Sequence, residues 1–325
     1  MGSNGIRDFM HTHFHHFNAR ETRAAAEGWV EHLNSDGKML VTLAGAMSTA
    51  ELGISLSKLI RADKVHAICC TGANLEEDIF NLVAHDEYKT IPNYRDLTAE
   101  QEAQLYKDGW NRVTDVCIPE QVMRSIDNAI LEIWQQAEKD DVRKTPWGFM
   151  RDLVRDERIA QHYQADPENS WVLAAHQKNI PVWVPGWEDS TLGNSFVGYV
   201  IIDKLSKHDT VKTGTEQMHE LCDWYRMQAS ENASVGFFQI GGGIAGDFSI
   251  CAVPLLIQDA FEKDTPFWGY FCQIGDAPTS YGGYSGAVPN EKITWGKLAA
   301  DTPKFMINSD ASIVAPLIFE YVLDE

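Results

Sequence analysis

Ser234-Val-Gly-Phe-Phe-Gln-Ile240 runs directly into Gly241-Gly242-Gly243 and then into a helical pattern over 247–262. A short, uncharged, aromatic-rich run bounded by glycine reads as a strand buried on both faces. A strand with one wet face would alternate apolar and polar residues instead. Such a strand, handing on to a helix, belongs to a parallel sheet covered by helices. The glycines fall where that sheet presents backbone N–H groups and helix N-termini to a ligand. A tight turn alone would use one glycine for its positive φ. Three in a row leave the backbone open to close approach, so a bound ligand is the expected reason.

The same pattern recurs on either side. Lys38-Met-Leu-Val-Thr-Leu-Ala44 leads through Gly45 to a helix over 48–60, and Lys64-Val-His-Ala-Ile-Cys-Cys70 leads through Thr71-Gly72 to a helix carrying Glu76, Glu77 and Asp78. Ile180-Pro-Val-Trp-Val-Pro185 delivers Glu188-Asp-Ser-Thr-Leu-Gly-Asn194, and the runs 267–274 and 303–307 are the last strands. Ser309 or Asp310 caps a final apolar helix. Residues 86–118 read as a polar excursion, and further helices are expected over 119–139, 146–156, 168–178, 195–206 and 213–228. Six or seven buried strands with intervening helices predict one doubly wound α/β sheet, mostly parallel, with helices on both faces. Residues 1–37 form an N-terminal arm and helix, and 38–325 the main domain. Neither early turn carries a full GxGxxG, so the glycines suggest nucleotide binding without specifying it.

The 325 residues carry a formal charge of −20 with the acids spread along the chain. Such a field repels nucleic acid and anionic membrane and draws small cations, although solubility alone also accounts for an acidic surface. No apolar run is long enough to span a membrane and no signal-peptide pattern opens the chain. The six cysteines show no CxxC and lie mostly in apolar runs, which reads as reduced thiols in a cytoplasmic protein. His11, His13, His15 and His16 lack the Cys or acidic partners of a metal site, so no metal is expected. An arm packing Phe14 and Phe17 on a neighbouring subunit is the preferred reading of that segment.

The chemistry concentrates near the C-terminus, in Asn290-Glu-Lys-Ile-Thr-Trp-Gly-Lys297. A lysine desolvated beside an indole, with Glu291 six positions back, becomes a usable amine nucleophile. On these residues alone the commoner reading is a surface lysine whose stem rests on Trp295. The strand ends change the balance. They deliver Ser48, Thr71, Asp189, the triple glycine, Asp276 and Asp310 to one edge of the sheet, a set suited to the phosphates and ribose hydroxyls of a dinucleotide.

Taken in order, Thr71-Gly-Ala-Asn-Leu-Glu-Glu-Asp78, Asn179-Ile-Pro-Val182, Asp189-Ser-Thr-Leu-Gly193, Gly241-Gly-Gly243, Ser285-Gly286, Thr294-Trp-Gly-Lys297 and Asp310-Ala-Ser312 resemble the deoxyhypusine synthase family over roughly residues 38–320. The resemblance implies an NAD-dependent aminobutyl transfer. NAD takes hydride from spermidine, a lysine captures the imine as 1,3-diaminopropane leaves, the aminobutyl group passes to an acceptor amine, and the returned hydride reduces the product. It implies Lys297 as the imine-forming lysine, Trp295 lining the polyamine site, and Glu76, Glu77 and Glu291 facing substrate nitrogens. It implies Ser48, Thr71, Gly72, Asp189, Gly242, Gly243, Asp276, Ala277, Asp310 and Ala311 around NAD, the Ser48 match needing a one-residue gap. It further implies a homotetramer with sites at a dimer interface.

Three departures stand beside these matches. Asp247 replaces a family histidine that handles a proton, and Asn194 and Tyr284 replace two acids that grip spermidine. A carboxylate can still move a proton, whereas losing counter-charges alters which amine is held. The expected activity is therefore aminobutyl transfer from spermidine to a small amine such as putrescine, giving homospermidine, or agmatine. The competing readings are modification of a translation-factor lysine and a non-catalytic NAD- or polyamine-binding protein.

Overall fold

The computed structural model describes residues 5–279 and 282–324. Tyr281, the first residue of the turn-rich run 281–289, lies outside the described residues. The main sheet contains β1 (Lys38–Leu43), β2 (Ala67–Cys70), β6 (Val182–Trp183), β7 (Val235–Ile240), β8 (Tyr270–Gly275) and β9 (Lys304–Asn308). Their order is β6-β2-β1-β7-β8-β9, with every pairing parallel. This is the doubly wound α/β sheet anticipated from the runs of buried residues.

β7 explains why those runs do not alternate. All six of its residues are buried. Phe237 faces one layer, 4.9 Å from Trp268 between ring centroids, and Phe238 faces the other, 4.6 Å from Trp29. Successive strand residues point to opposite faces, so a strand covered on both sides must be apolar at every step. Removing either ring would cost about 3–5 kcal/mol as a buried cavity. Trp29 comes from the helix Phe17–Asn34, which packs on β9 and on the C-terminal helix Ala311–Leu323.

Several elements depart from expectation for identifiable reasons. β6 keeps only Val182–Trp183 of the run 180–185, because Pro181 and Pro185 cannot donate to a ladder. The helix expected over 247–262 begins earlier, as Gly243–Ile250, and breaks near Pro254 into a π-turn over Leu255–Asp259. The excursion 86–118 is not purely irregular. It forms β3 (Lys89–Thr90), β4 (Trp110–Val113) and β5 (Val116–Pro119), an antiparallel sheet ordered β3-β5-β4, beside a helix Ala99–Lys107 closed by a Thr98–Gln101 capping box.

The winding sets the site. From β1 the chain steps outward to β2 and β6, then crosses to β7 and steps the other way to β8 and β9. The strand order therefore reverses between β1 and β7. At such a switch point the following loops diverge to opposite faces and leave a crevice beyond the carboxyl ends.

Candidate functional site

Every strand-end residue singled out in the sequence follows a strand at the carboxyl edge, but many of their polar atoms already have partners. Thr71 caps the helix Gly72–Ala84, accepting from Asn74 N. Ser48 is 3% exposed. Its hydroxyl donates to Asn74 O at 2.7 Å and accepts from the Trp171 indole at 2.9 Å. A Cβ on Gly72 would collide with Ser190. Asp310 caps the last helix through Ser312 N at 2.8 Å, with Ala311 as its first residue. Asp189 is exposed after β6, while Asp276, exposed, and Ala277, half-buried, follow β8.

The triple glycine has a conformational explanation that the sequence count missed. Gly241 and Gly243 adopt φ of +73° and +57°. A Cβ on Gly242 would collide with Ser285. Three glycines are thus required by the turn itself, and their number alone does not demand a ligand. Even so, nothing outside its own helix lies within 4 Å of where a Gly243 Cβ would sit, so there is open space beside that helix start, although the Gly243 N–H itself donates to Ser285 Oγ at 3.2 Å. Open space beside a helix N-terminus, strand-end carboxylates and a switch-point crevice together suit a dinucleotide, whose phosphates take N–H groups and whose ribose hydroxyls take acids.

Lys297 lies in a cleft of about 560 Å³ with Asp247, Cys251, Tyr284, Glu291 and Trp295 on its walls. Glu291 opens the four-residue helix Glu291–Thr294, and Gly296 turns the chain at φ +68°. That turn separates the two side chains expected to touch. Trp295 swings to the rim, 62% exposed, while Lys297 is 8% exposed. The aromatic face beneath Lys297 Nζ is Tyr284, at 5.2 Å, rather than the indole. Asp247 Oδ1 is 3.5 Å from the same nitrogen. An amine, a carboxylate within reach of its proton and a shielding ring form a unit for imine chemistry.

Glu77, Asp189 and Asn194 line a second cleft, of about 740 Å³, with no wall residue in common with the first. Glu76 is corrected here: its carboxylate does not face either cleft. Its two oxygens accept from Thr191 N and Leu192 N, both at 2.8 Å, at the start of the helix Thr191–Ile201. A helix N-terminus attracts a carboxylate, and burial raises its proton affinity while those N–H donors lower it. Glu77 is different. Burial pushes its carboxyl up to about 8, helped by the Glu76 charge. Its Oε2 is buried without a hydrogen-bond partner. Asn194 donates to Glu188 O and Ser190 O, so its amide serves its own helix.

Two residues given no role by the sequence belong to the sites. Lys292, five positions before Lys297, is 2% exposed against Tyr284. Asp127, 1% exposed on the helix Glu120–Lys139, lines the second cleft with Oδ1 unpartnered. Lys292 lies within the stretch 290–297 but carried no reading of its own; Asp127 had no local signal, because only the fold brings it to the cleft that Asn194 also lines.

Comparison with known proteins gives the chain's family. The family model for deoxyhypusine synthase matches residues 8–322. "Probable deoxyhypusine synthase 2" of Archaeoglobus fulgidus is 26% identical over 303 residues, covering 93% of this chain and 92% of the relative. The protein of the same description from Methanosarcina mazei is 25% identical, over 93% of this chain and 81% of its own. A "Deoxyhypusine synthase-like protein" of Cyanothece is 25% identical, over 98% and 79%. Among solved structures, a chain from Entamoeba histolytica assigned to deoxyhypusine synthase matches the fold with a TM-score of 0.57 at 14% identity, over 98% of this chain and 93% of that one. With a match across nearly its whole length, the chain belongs to the deoxyhypusine synthase family, a family of transferases.

Proposed function

We propose that this protein is an NAD-dependent aminobutyltransferase that moves the four-carbon amine of spermidine, through an imine on Lys297, to a small acceptor amine such as putrescine or agmatine. The observation that carries the reading is Lys297 itself, nearly buried over Tyr284 with Asp247 3.5 Å from its nitrogen.

NAD would be held at the carboxyl edge by Thr71, Gly72, Asp189, Gly242, Gly243, Asp276, Ala277, Asp310 and Ala311, and when bound it supplies the hydride acceptor and later the donor. The chain's own residues do the rest. Lys297 attacks the oxidised carbon of the donor, forming its C–N bond as the bond to 1,3-diaminopropane breaks. Asp247 takes the proton that the lysine must lose and returns it to the departing amine. The acceptor amine then displaces Lys297 from the carbon. Glu291 and Asp247 supply negative charge to ammonium groups in the cleft, with Trp295 at its mouth, and Glu77 does so in the second cleft. The reading places the enzyme in the cytoplasm as a homotetramer in which the clefts of adjoining subunits complete one another.

The decisive experiment is mass-spectrometric product analysis with NAD, spermidine and a panel of amines. Release of 1,3-diaminopropane with a new polyamine supports the reading. No release with any amine would sink it, and transfer only to a translation-factor precursor would replace the acceptor.

A further inference from the structure

β7 and β8 each carry one amide side chain, and the two lie side by side. Gln239 is in register with Gln273, and they are 0% and 1% exposed. Residues in register point to the same face. The helix Gly243–Ile250 covers Gln239 there, so closely that a Cβ on Gly246 would come within 2.9 Å of it. An aliphatic pair would fill that space without the cost of burying two amides, so their hydrogen bonds should explain them.

All four amide atoms have partners. Gln239 Oε1 accepts from the Tyr284 hydroxyl at 2.6 Å, and its Nε2 donates to Gly241 O at 2.8 Å. Gln273 Oε1 accepts from Lys292 Nζ at 3.3 Å, and its Nε2 donates to Ser285 O at 2.6 Å. The partners fall in two places, the glycine turn and the loop beneath Lys297. These also meet directly, since Gly243 N donates to Ser285 Oγ at 3.2 Å and a Cβ on Gly242 would collide with Ser285. A fully answered buried network of this kind fixes one arrangement of the segments it joins.

Tyr284 is held at both ends, its hydroxyl by Gln239 and the backbone of the next residue by Gln273. Its ring face lies 5.2 Å from Lys297 Nζ. We propose that Gln239 and Gln273 are positioning residues, a clasp that locks the Tyr284–Ser285 loop to the glycine turn and so holds the floor of the Lys297 cleft. The amine and the helix start at Gly243 are thereby set relative to each other. A misplacement of about 1 Å at such a site costs on the order of 10²-fold in rate.

The inference rests on Lys297 being the reacting amine of the proposed function, so its first test needs neither NAD nor a polyamine. Peptide-resolved hydrogen–deuterium exchange is followed on the full chain as wild type, Gln239→Met, Tyr284→Phe and the double variant. Methionine keeps the length of Gln239 without its hydrogen bonds, and phenylalanine keeps the ring of Tyr284 without its tether. In each single variant the amides of 282–297 and of the Gly243 turn should exchange on the order of tenfold faster together, with β1 and the helix Phe17–Asn34 unchanged. The double variant should be no faster than Gln239→Met, in which the tether is already lost. Acceleration in one segment only, in the whole chain alike, or in neither overturns the proposal. Should Gln239→Met not fold, Tyr284→Phe, which removes a single oxygen, carries the comparison. A second measurement reads position through chemistry. With NAD and spermidine, Tyr284→Phe should lower kcat about tenfold with KM within about twofold of wild type. An undiminished kcat, or a loss confined to KM, would also overturn the role. A wild type that releases no 1,3-diaminopropane would remove the aminobutyl reading and leave the exchange result to decide on the clasp.

Discussion

Around Glu76, beside β2, carboxylate, amide and hydroxyl groups end on the protein's own backbone: Glu76 on two helix N–H groups, Asn194 on two carbonyls, Ser48 on the Asn74 carbonyl. Around Lys297 the polar groups meet one another across a cleft instead, amine to carboxylate and ammonium to ring. The first region spends its polar residues on local structure, and the second leaves them facing a space a ligand can enter. Glu77 and Asp127 are the exceptions in the first region, since each has a buried oxygen without a partner. Residue type does not separate structural from chemical acids here; what answers each oxygen does.

Lys297→Ala tests the reactive side of that contrast with the largest expected effect. Release of 1,3-diaminopropane should fall on the order of 10³-fold or more, and the borohydride-trapped adduct should vanish. An undiminished adduct would place the nucleophile elsewhere. Asp247→Asn should lower turnover by about 10²-fold while leaving the unfolding midpoint in denaturant close to wild type, as befits a half-exposed side chain. A large loss of stability with full turnover would make Asp247 a structural acid after all.

Glu76→Ala addresses the other side. Losing the carboxylate that caps Thr191–Ile201 should destabilise the fold by about 2 kcal/mol, measured by urea denaturation. An unchanged midpoint with weakened amine binding would return Glu76 to the substrate. The smallest effect is a slope. The Glu77 carboxyl titrates near 4.5 when unfolded and at about 8 when folded. Between those values the folded state keeps a proton that the unfolded state has released, so this group's contribution to stability falls as pH rises through the window and is lowest above 8. Glu77→Gln should flatten that part of the stability–pH curve, and an identical slope in the variant would show that the Glu77 carboxyl does not titrate there.

The parallel sheet was readable because β1, β2 and β7 are apolar on both faces, which only a doubly covered sheet requires. The Lys297 segment was readable as a motif. What the motif hid was direction: one positive φ at Gly296 exchanges the expected indole for Tyr284, and such a rotation leaves no trace in residue spacing. Glu76 misled for a related reason. A carboxylate in the second turn of a helix looks free until the fold brings another helix's N-terminus onto it. The excursion over 86–118 was opaque because β3 has only two residues, both exposed, and gives no periodicity to find.

The turn at Gly296 has an optical consequence. It leaves Trp295 at the rim of the Lys297 cleft with 62% of its surface in water, while Trp29, Trp134, Trp171 and Trp268 are sealed in the core. An indole in water emits further to the red than one in an apolar interior. Excitation at the red edge therefore favours Trp295, with little contribution from those four and the half-buried Trp110, Trp187 and Trp224 as background. A polyamine settling into the cleft should quench or blue-shift that component and leave the buried emission unchanged. Trp295→Phe should erase the response, giving occupancy of this one cleft a readout that does not wait for turnover.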